Sequence, residues 1–168
     1  WAEIANHSTA TQRYTDAVSD LSKLCQACGL CCSGAFVTHV QLRAGEAERL
    51  TSLSVQVKPR KTGLPILPLG CSALNGTRCG IYDARPQGCR LYVCALGQKL
   101  EAGTVSEPEA LAVVHQAQAL IATVAQQLPA GPADARGPIH QARTEGLREG
   151  PQALRDAETF IRAHFHAV

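Results

Sequence analysis

The chain has 168 residues, of which 45% are hydrophobic and 18% charged, and carries a net charge of +2. At that length a fold buries about 70% of the surface its unfolded chain exposes, so it can hold together without disulfides. The balanced charge, with no dense Lys/Arg run, argues against nucleic acid as a partner, and no apolar run approaches the roughly 18 residues of a membrane span.

From Trp1 to Gln12 there is no basic stretch followed by an apolar one, so no leader pattern is visible and a cytoplasmic location is expected. Tyr14, Ala17, Val18, Leu21, Leu24 and Cys25 fall at helical spacing and predict a helix running into the first cysteines. Gly29, Ser33 and Gly34 break that pattern. Ala35 to Leu42, with Val37, Thr38 and Val40, reads as a short strand, and Gly45 to Leu50 as a short helix. Residues 55–70 hold Pro59, Pro65, Pro68, Gly63 and Gly70 and read as an irregular loop. Asn75-Gly76 predicts a tight turn between two short extended pieces. Asp83 is placed to cap a helix whose first turn holds Pro86.

The last third is helical. Ser106 and Glu109 form a capping box. It opens a helix over 107–128, whose stripe of Leu111, Val114, Ala117, Ile121, Ala125 and Leu128 should pack within the chain, on the helix of 10–25 or that of 152–165. Residues 129–150 read as a connector with one helical turn near Gln141. Pro151 opens a final helix with Leu154, Ala157, Phe160 and Ile161 on one side. The expected fold is mainly α with minor β, one domain over 1–168. It comprises a cysteine core at about 20–98 and a C-terminal helical part at about 104–168.

Eight cysteines carry the chemistry: Cys25, Cys28, Cys31, Cys32, Cys71, Cys79, Cys89 and Cys94. All lie within one 70-residue stretch, and the first four form C-x2-C-x2-C-C. A disulfide framework suits short chains in oxidising compartments, and the vicinal Cys31 and Cys32 could bridge each other only with strain. Burial as small hydrophobes could account for one or two of the eight, not the set. Metal accounts for all of them, since crowded thiolates repel and a cation removes the repulsion. Cys25, Cys28 and Cys32 share a face of a continuous helix, and Cys31 joins them only if the helix ends near Gly29. A C-x2-C-x2-C run wrapped as a loop supplies three ligands of a cubane, with the fourth from afar. Zinc sites more often pair two separate C-x2-C knuckles, and no second knuckle is present. The spacing therefore favours an iron–sulfur cluster, [4Fe-4S], with zinc as the alternative. If Asn75-Gly76 formed a two-residue hairpin loop, Cys71 and Cys79 would face opposite sides of the ribbon. A three-residue loop with a bulge would put them on one side, and both remain ligand candidates.

The run Cys25-x-x-Cys28-Gly29-x-Cys31-Cys32, then Cys71, then Cys79-x-Ile81-Tyr82-x-x-Arg85-Pro86-x-x-Cys89-Arg90-x-Tyr92-x-Cys94, resembles the YkgJ-type cysteine-cluster family. That family is also known as the CxxCxxCC, zinc- or iron-chelating domain, and is similar to a region of flagellin lysine N-methylase. The resemblance implies metal chelation by the eight cysteines and covers residues 25–94. One departure is Ser72-Ala73 after Cys71, where the family carries a proline–aromatic pair.

Arg85 and Arg90 flank Cys89 and are candidates to donate N–H groups to cluster sulfur, or else to form salt bridges. His39 is the histidine nearest the first motif and could complete a mixed site. The sequence shows no phosphate loop, no G-x-S-x-G, no H-E-x-x-H and no adenosylmethionine-binding pattern, which leans against an enzyme. Three roles compete: a redox, electron-transfer or iron-related metalloprotein; a zinc-binding structural or chelating module; and a methylase-like enzyme or its accessory subunit. The expected partners are metal ions and a redox protein, with the chain itself a monomer.

Overall fold

The structure is a computed structural model, and it describes residues 20–61, 63–129, 137–145 and 152–166. Helix α1 covers residues 20–28. Tyr14, Ala17 and Val18 of the expected first stripe lie outside the described residues, while Leu24 is buried as expected. Then come β1 (His39–Gln41), α2 (Glu46–Ser52), β2 (Ile66–Pro68), β3 (Leu74–Asn75), β4 (Arg78–Cys79), a 3-10 turn at Tyr82–Ala84, α3 (Gln87–Leu91), α4 (Ala95–Glu101), α5 (Glu107–Gln126), α6 (Gly137–Thr144) and α7 (Gln152–Phe165). The described fold is mainly α with two small antiparallel sheets, β1–β2 and β3–β4. Among the described residues no helix is long and apolar enough to cross a membrane.

Several elements differ from the sequence expectation. The segment read as an irregular loop contains β2, which pairs with β1 as His39↔Pro68, Val40↔Leu67 and Gln41↔Ile66. In a two-stranded sheet every strand is an edge, so a proline whose missing N–H would point outward is tolerated. Asp83 caps nothing. It lies inside the 3-10 turn, and Pro86 takes the N-cap place of α3. Helix α6 is eight residues long rather than one turn. Gly137-Pro138, within the expected connector, stands at its start, where the fixed φ of proline suits the first turn.

The capping box is present: the Ser106 hydroxyl accepts from the Glu109 N–H, and the Glu109 carboxylate accepts from the Ser106 N–H at 2.8 Å. The buried stripe of α5 is Ala110, Val114, Ala117 and Val124, shifted from the expected one, and Ala125 is exposed. The shift follows from the partners, because α5 packs on α4, α6 and α7 together rather than along one seam.

Three apolar clusters hold the elements. The first joins Leu24, Leu30, Ala35 and Leu96 to Ala110, Val114 and Ala117 of α5 and to Ile161 and Phe165 of α7. A second lies under the sheet β1–β2, with Leu42, Leu50, Val55, Leu67 and Leu69. The third, Val124, Ile139, Ala142, Leu154 and Ala157, belongs to the C-terminal helices alone. Burying a Leu- or Phe-sized side chain contributes about 1.5–3 kcal/mol, so the first cluster ties the cysteine segment firmly to the C-terminal helices.

Candidate metal centre

Cys25 and Cys28 ride the last turns of α1. The helix stops there because Gly29 takes φ +65°, a left-handed conformation that reverses the chain at helix ends. The Gly29 N–H still donates to Cys25 O at 3.2 Å. Residues 29–35 then wind a second helical turn, with Ser33 N–H on Gly29 O at 2.9 Å and Gly34 N–H on Cys31 O at 3.1 Å. Cys31 and Cys32 sit on this turn. It meets the β3–β4 loop backbone to backbone, since a Cβ at Gly29 would stand 2.9 Å from both Cα and O of Thr77. On its other side the Cys71 N–H donates to Cys32 O at 2.8 Å.

The β3–β4 ribbon resolves the question of its register in a third way. Leu74 pairs with Cys79 and Asn75 with Arg78, so the two-residue loop is Gly76-Thr77 rather than Asn75-Gly76. Gly76 has φ +60°, the demand of the first loop position in a type II′ turn. Cys71 is outside the ribbon altogether, in a turn closed by the Leu74 N–H on Cys71 O at 3.0 Å. Cys89 lies in α3, and Cys94 is the N-cap of α4, its Sγ accepting from the Gly97 N–H at 3.4 Å. All eight cysteines are free thiols.

Supporting side chains fix these segments. Glu46 of α2 accepts from the Gln87 N–H at 2.7 Å and the Arg43 N–H at 2.8 Å, anchoring the first turn of α3. Burial works against its charge, but the two backbone bonds outweigh it and hold the carboxyl below its ordinary range. Gln118 of α5 donates to the carbonyls of Ala27 and Cys28 at 2.9 and 3.1 Å, satisfying the C-terminal end of α1. The Ser22 hydroxyl donates to the Tyr82 hydroxyl at 2.7 Å. Of the two flanking arginines, Arg85 stacks on the Tyr82 ring at 3.5 Å, and its charge favours the thiolates of Cys25 and Cys89. Arg90 donates instead to the carbonyls of Asp83 and Arg85, tying the 3-10 turn to α3. Sequence spacing does not single out the anchoring of α3 by Glu46 or of α1 by Gln118, because those bonds span 41 and 91 residues.

Cys25, Cys28, Cys31, Cys32, Cys89 and Cys94 wall one cavity of about 280 Å³, whose other walls include Leu24, Leu69, Leu96 and Phe165. His39, Arg85 and Tyr92 also reach it. Among the described residues no three Cys, His, Asp or Glu side chains stand in a ready-made ligand arrangement. The thiols are neighbours across a shared space rather than a closed shell.

Burial is the main influence on these thiols. It pushes Cys25 and Cys89 up to about 11 and Cys28 and Cys32 to about 12, from an ordinary 9.0, and raises Cys31, Cys71 and Cys94 as well. Backbone N–H groups pull the other way, from Leu30 to Cys28, from Ala73 to Cys71 and from Gly97 and Leu96 to Cys94. Without a cation these seven cysteines are therefore neutral thiols at pH 7. In the metal-free chain the raised values stabilise the fold below the ordinary thiol range, and that contribution is lost as pH climbs through 11 and 12. Metal binding has the opposite sign, since each ligand must first give up a proton. Loading the metal-free chain with zinc at pH 7 should release about one proton per coordinating thiol, and zinc affinity should fall steeply on acidification. A pH indicator in weak buffer measures the release, and a release near zero would contradict neutral thiols.

A mainly helical chain that gathers eight free thiols around a buried turn belongs to the class of cysteine-rich metal-chelating proteins. Residues 24–113, more than half of the chain, match the family model CxxCxxCC, described as "Putative zinc- or iron-chelating domain". The chain belongs to that family. No curated protein and no solved structure matches it.

Proposed function

We propose that the protein is an iron–sulfur protein, its cysteines holding a [4Fe-4S]-type centre that exchanges electrons with a redox partner. The observation that carries this reading is the cavity of about 280 Å³ walled by six cysteines and apolar side chains. A zinc ion holds its sulfurs at about 2.3 Å and needs no space beyond its own shell, whereas a cluster needs room for inorganic sulfide among the thiolates. The group would supply one-electron chemistry. The chain supplies the rest. The cysteines ligate, Leu24, Leu96 and Phe165 keep water from one side, and the backbone N–H groups of Leu30 and Ala73 stabilise sulfur charge on Cys28 and Cys71. Arg85 adds a positive charge beside Cys25 and Cys89. Hydrogen bonds and charge near cluster sulfur favour the reduced state. Tyr92 lines the cavity and is still 43% exposed, so the cavity lies close enough to the surface for electron exchange.

Purification without oxygen, followed by iron, zinc and acid-labile sulfide analysis, tests the reading. Iron and sulfide in near-equal amounts, in a brown protein, are expected. A colourless protein with zinc and no sulfide would overturn it in favour of a zinc-binding structural or chelating module.

A further inference from the structure

We propose that the eight cysteines form two separate four-thiolate metal sites, Cys25, Cys28, Cys31 and Cys94 in one and Cys32, Cys71, Cys79 and Cys89 in the other, divided at the Cys31–Cys32 peptide bond. This rests on the cysteines being metal ligands and not on which metal they hold.

The division starts from the turn after Gly29. Its backbone is helical, with the Ser33 N–H bonded to Gly29 O, and neighbours on such a turn diverge by about 100°. Cys31 and Cys32 therefore face different sides, and one ion cannot comfortably take both. Each side has its own partners. Cys28 and Cys94 pack against the cluster of Leu24, Leu30 and Leu96, and all four of Cys25, Cys28, Cys31 and Cys94 wall the cavity that Cys32 and Cys89 also reach. Cys71 and Cys89 pack against the other cluster, of Leu42, Leu50, Leu67 and Leu69. Cys32 belongs with them, because its carbonyl takes the Cys71 N–H at 2.8 Å. Cys79 stands opposite Leu74, whose N–H closes the turn on Cys71.

The electrostatic neighbours divide in the same way. The thiols that act most on Cys31 are Cys28 and Cys94, ahead of Cys32 and Cys25, and those that act most on Cys32 are Cys79, Cys71 and Cys89, ahead of Cys25. The two sets meet at Cys32, which acts on Cys31 and Cys28 and is acted on by Cys25, in each case behind at least two thiols of the affected cysteine's own set. Arg85 lies between them, acting on Cys25 of one and Cys89 of the other. Four thiolates are the full ligand count of a structural zinc or of a [4Fe-4S] cluster, so each set suits one soft, thiophilic centre. The sites are nested in sequence, the outer joining residues 25–31 to 94 and the inner joining residue 32 to 71–89. Each therefore clips a long loop.

Cadmium alone is the probe, because its nuclear resonance reports the number of sulfur ligands whatever the native metal. The intact metal-free chain loaded with cadmium-113 should bind two ions and give two resonances, both in the four-sulfur range and without cadmium–cadmium splitting. One bound ion, a resonance outside that range, or splitting through shared sulfurs would overturn the division. In Cys94→Ser the stoichiometry should fall from two to one with the second site's resonance kept, and Cys79→Ser should do the converse. Loss of both ions from either variant, in a chain still folded by circular dichroism, would also overturn it. If a variant does not fold, the intact chain's ion count and splitting decide alone. Iron and sulfide analysis remains a separate question: two zinc ions and no sulfide would sink the iron–sulfur reading and leave the division standing.

Discussion

Cys28→Ala should lose the metal of its own site and, with it, the packing of α1 and of the turn after Gly29. Cys28 packs on the cluster of Leu24, Leu30 and Leu96, and its thiol receives the Leu30 N–H. Structural zinc sites are worth about 10–16 kcal/mol in small metal-folded domains, which is comparable to the 5–15 kcal/mol that holds a whole domain together. Removing one ligand therefore threatens the entire margin rather than a fraction of it. The loss should not be uniform. Val124, Ile139, Ala142, Leu154 and Ala157 form a cluster that involves no cysteine, so the far ends of α5 and α7 with α6 should keep helical signal. Metal analysis with thermal melting by circular dichroism makes the comparison. A variant that matches the parent in both would mean that Cys28 is no structural ligand.

Gly29→Ala should destabilise the metal-loaded chain by about 2–5 kcal/mol. Of this, about 1–2 kcal/mol comes from forcing a side chain into the left-handed region at φ +65°. A further 1–3 kcal/mol or so comes from overpacking, because the new Cβ would meet the Thr77 backbone at 2.9 Å and neither backbone has a rotamer to yield. Gly45→Ala is the control. Gly45 also has a positive φ, +79°, but a Cβ there meets nothing within 4 Å, so only the conformational part should appear. Urea unfolding of both variants separates the two costs, and equal losses would show that the contact with Thr77 does not matter.

Much of the architecture is legible in the sequence because local signals and tertiary structure agree. The Ser106–Glu109 box, the apolar periodicity of the last third and the break at Gly29 each follow from nearest-neighbour physics, and the structure contains all three. The dense cysteine run and the Tyr82–Arg85–Cys89 pattern likewise indicate the family whose model matches residues 24–113. Illegible features are those decided at a distance. Strand β2 hides behind prolines because its partner, β1, lies more than 20 residues earlier. The hairpin register differs by one residue from the sequence expectation because Gly76, not Asn75, takes the first loop position. Local rules also could not distinguish Arg85 from Arg90. Only the fold turns one guanidinium toward Cys25 and Cys89 and bonds the other to carbonyls of the 3-10 turn and its neighbour.

The first apolar cluster has an evolutionary corollary. Residues that define the family end at 113, yet the floor beneath Leu24, Leu30 and Leu96 is completed by Ala117, Ile161 and Phe165, well outside that boundary. Gln118, also outside it, closes the end of the helix that bears Cys25 and Cys28. The segment recognisable by descent and the segment that packs together are thus different lengths of chain. A lineage that exchanged its tail would need a new residue under Leu96 and a new donor for the carbonyls of Ala27 and Cys28. The tail is therefore free to drift in sequence only along paths that keep an apolar face and one amide in those places.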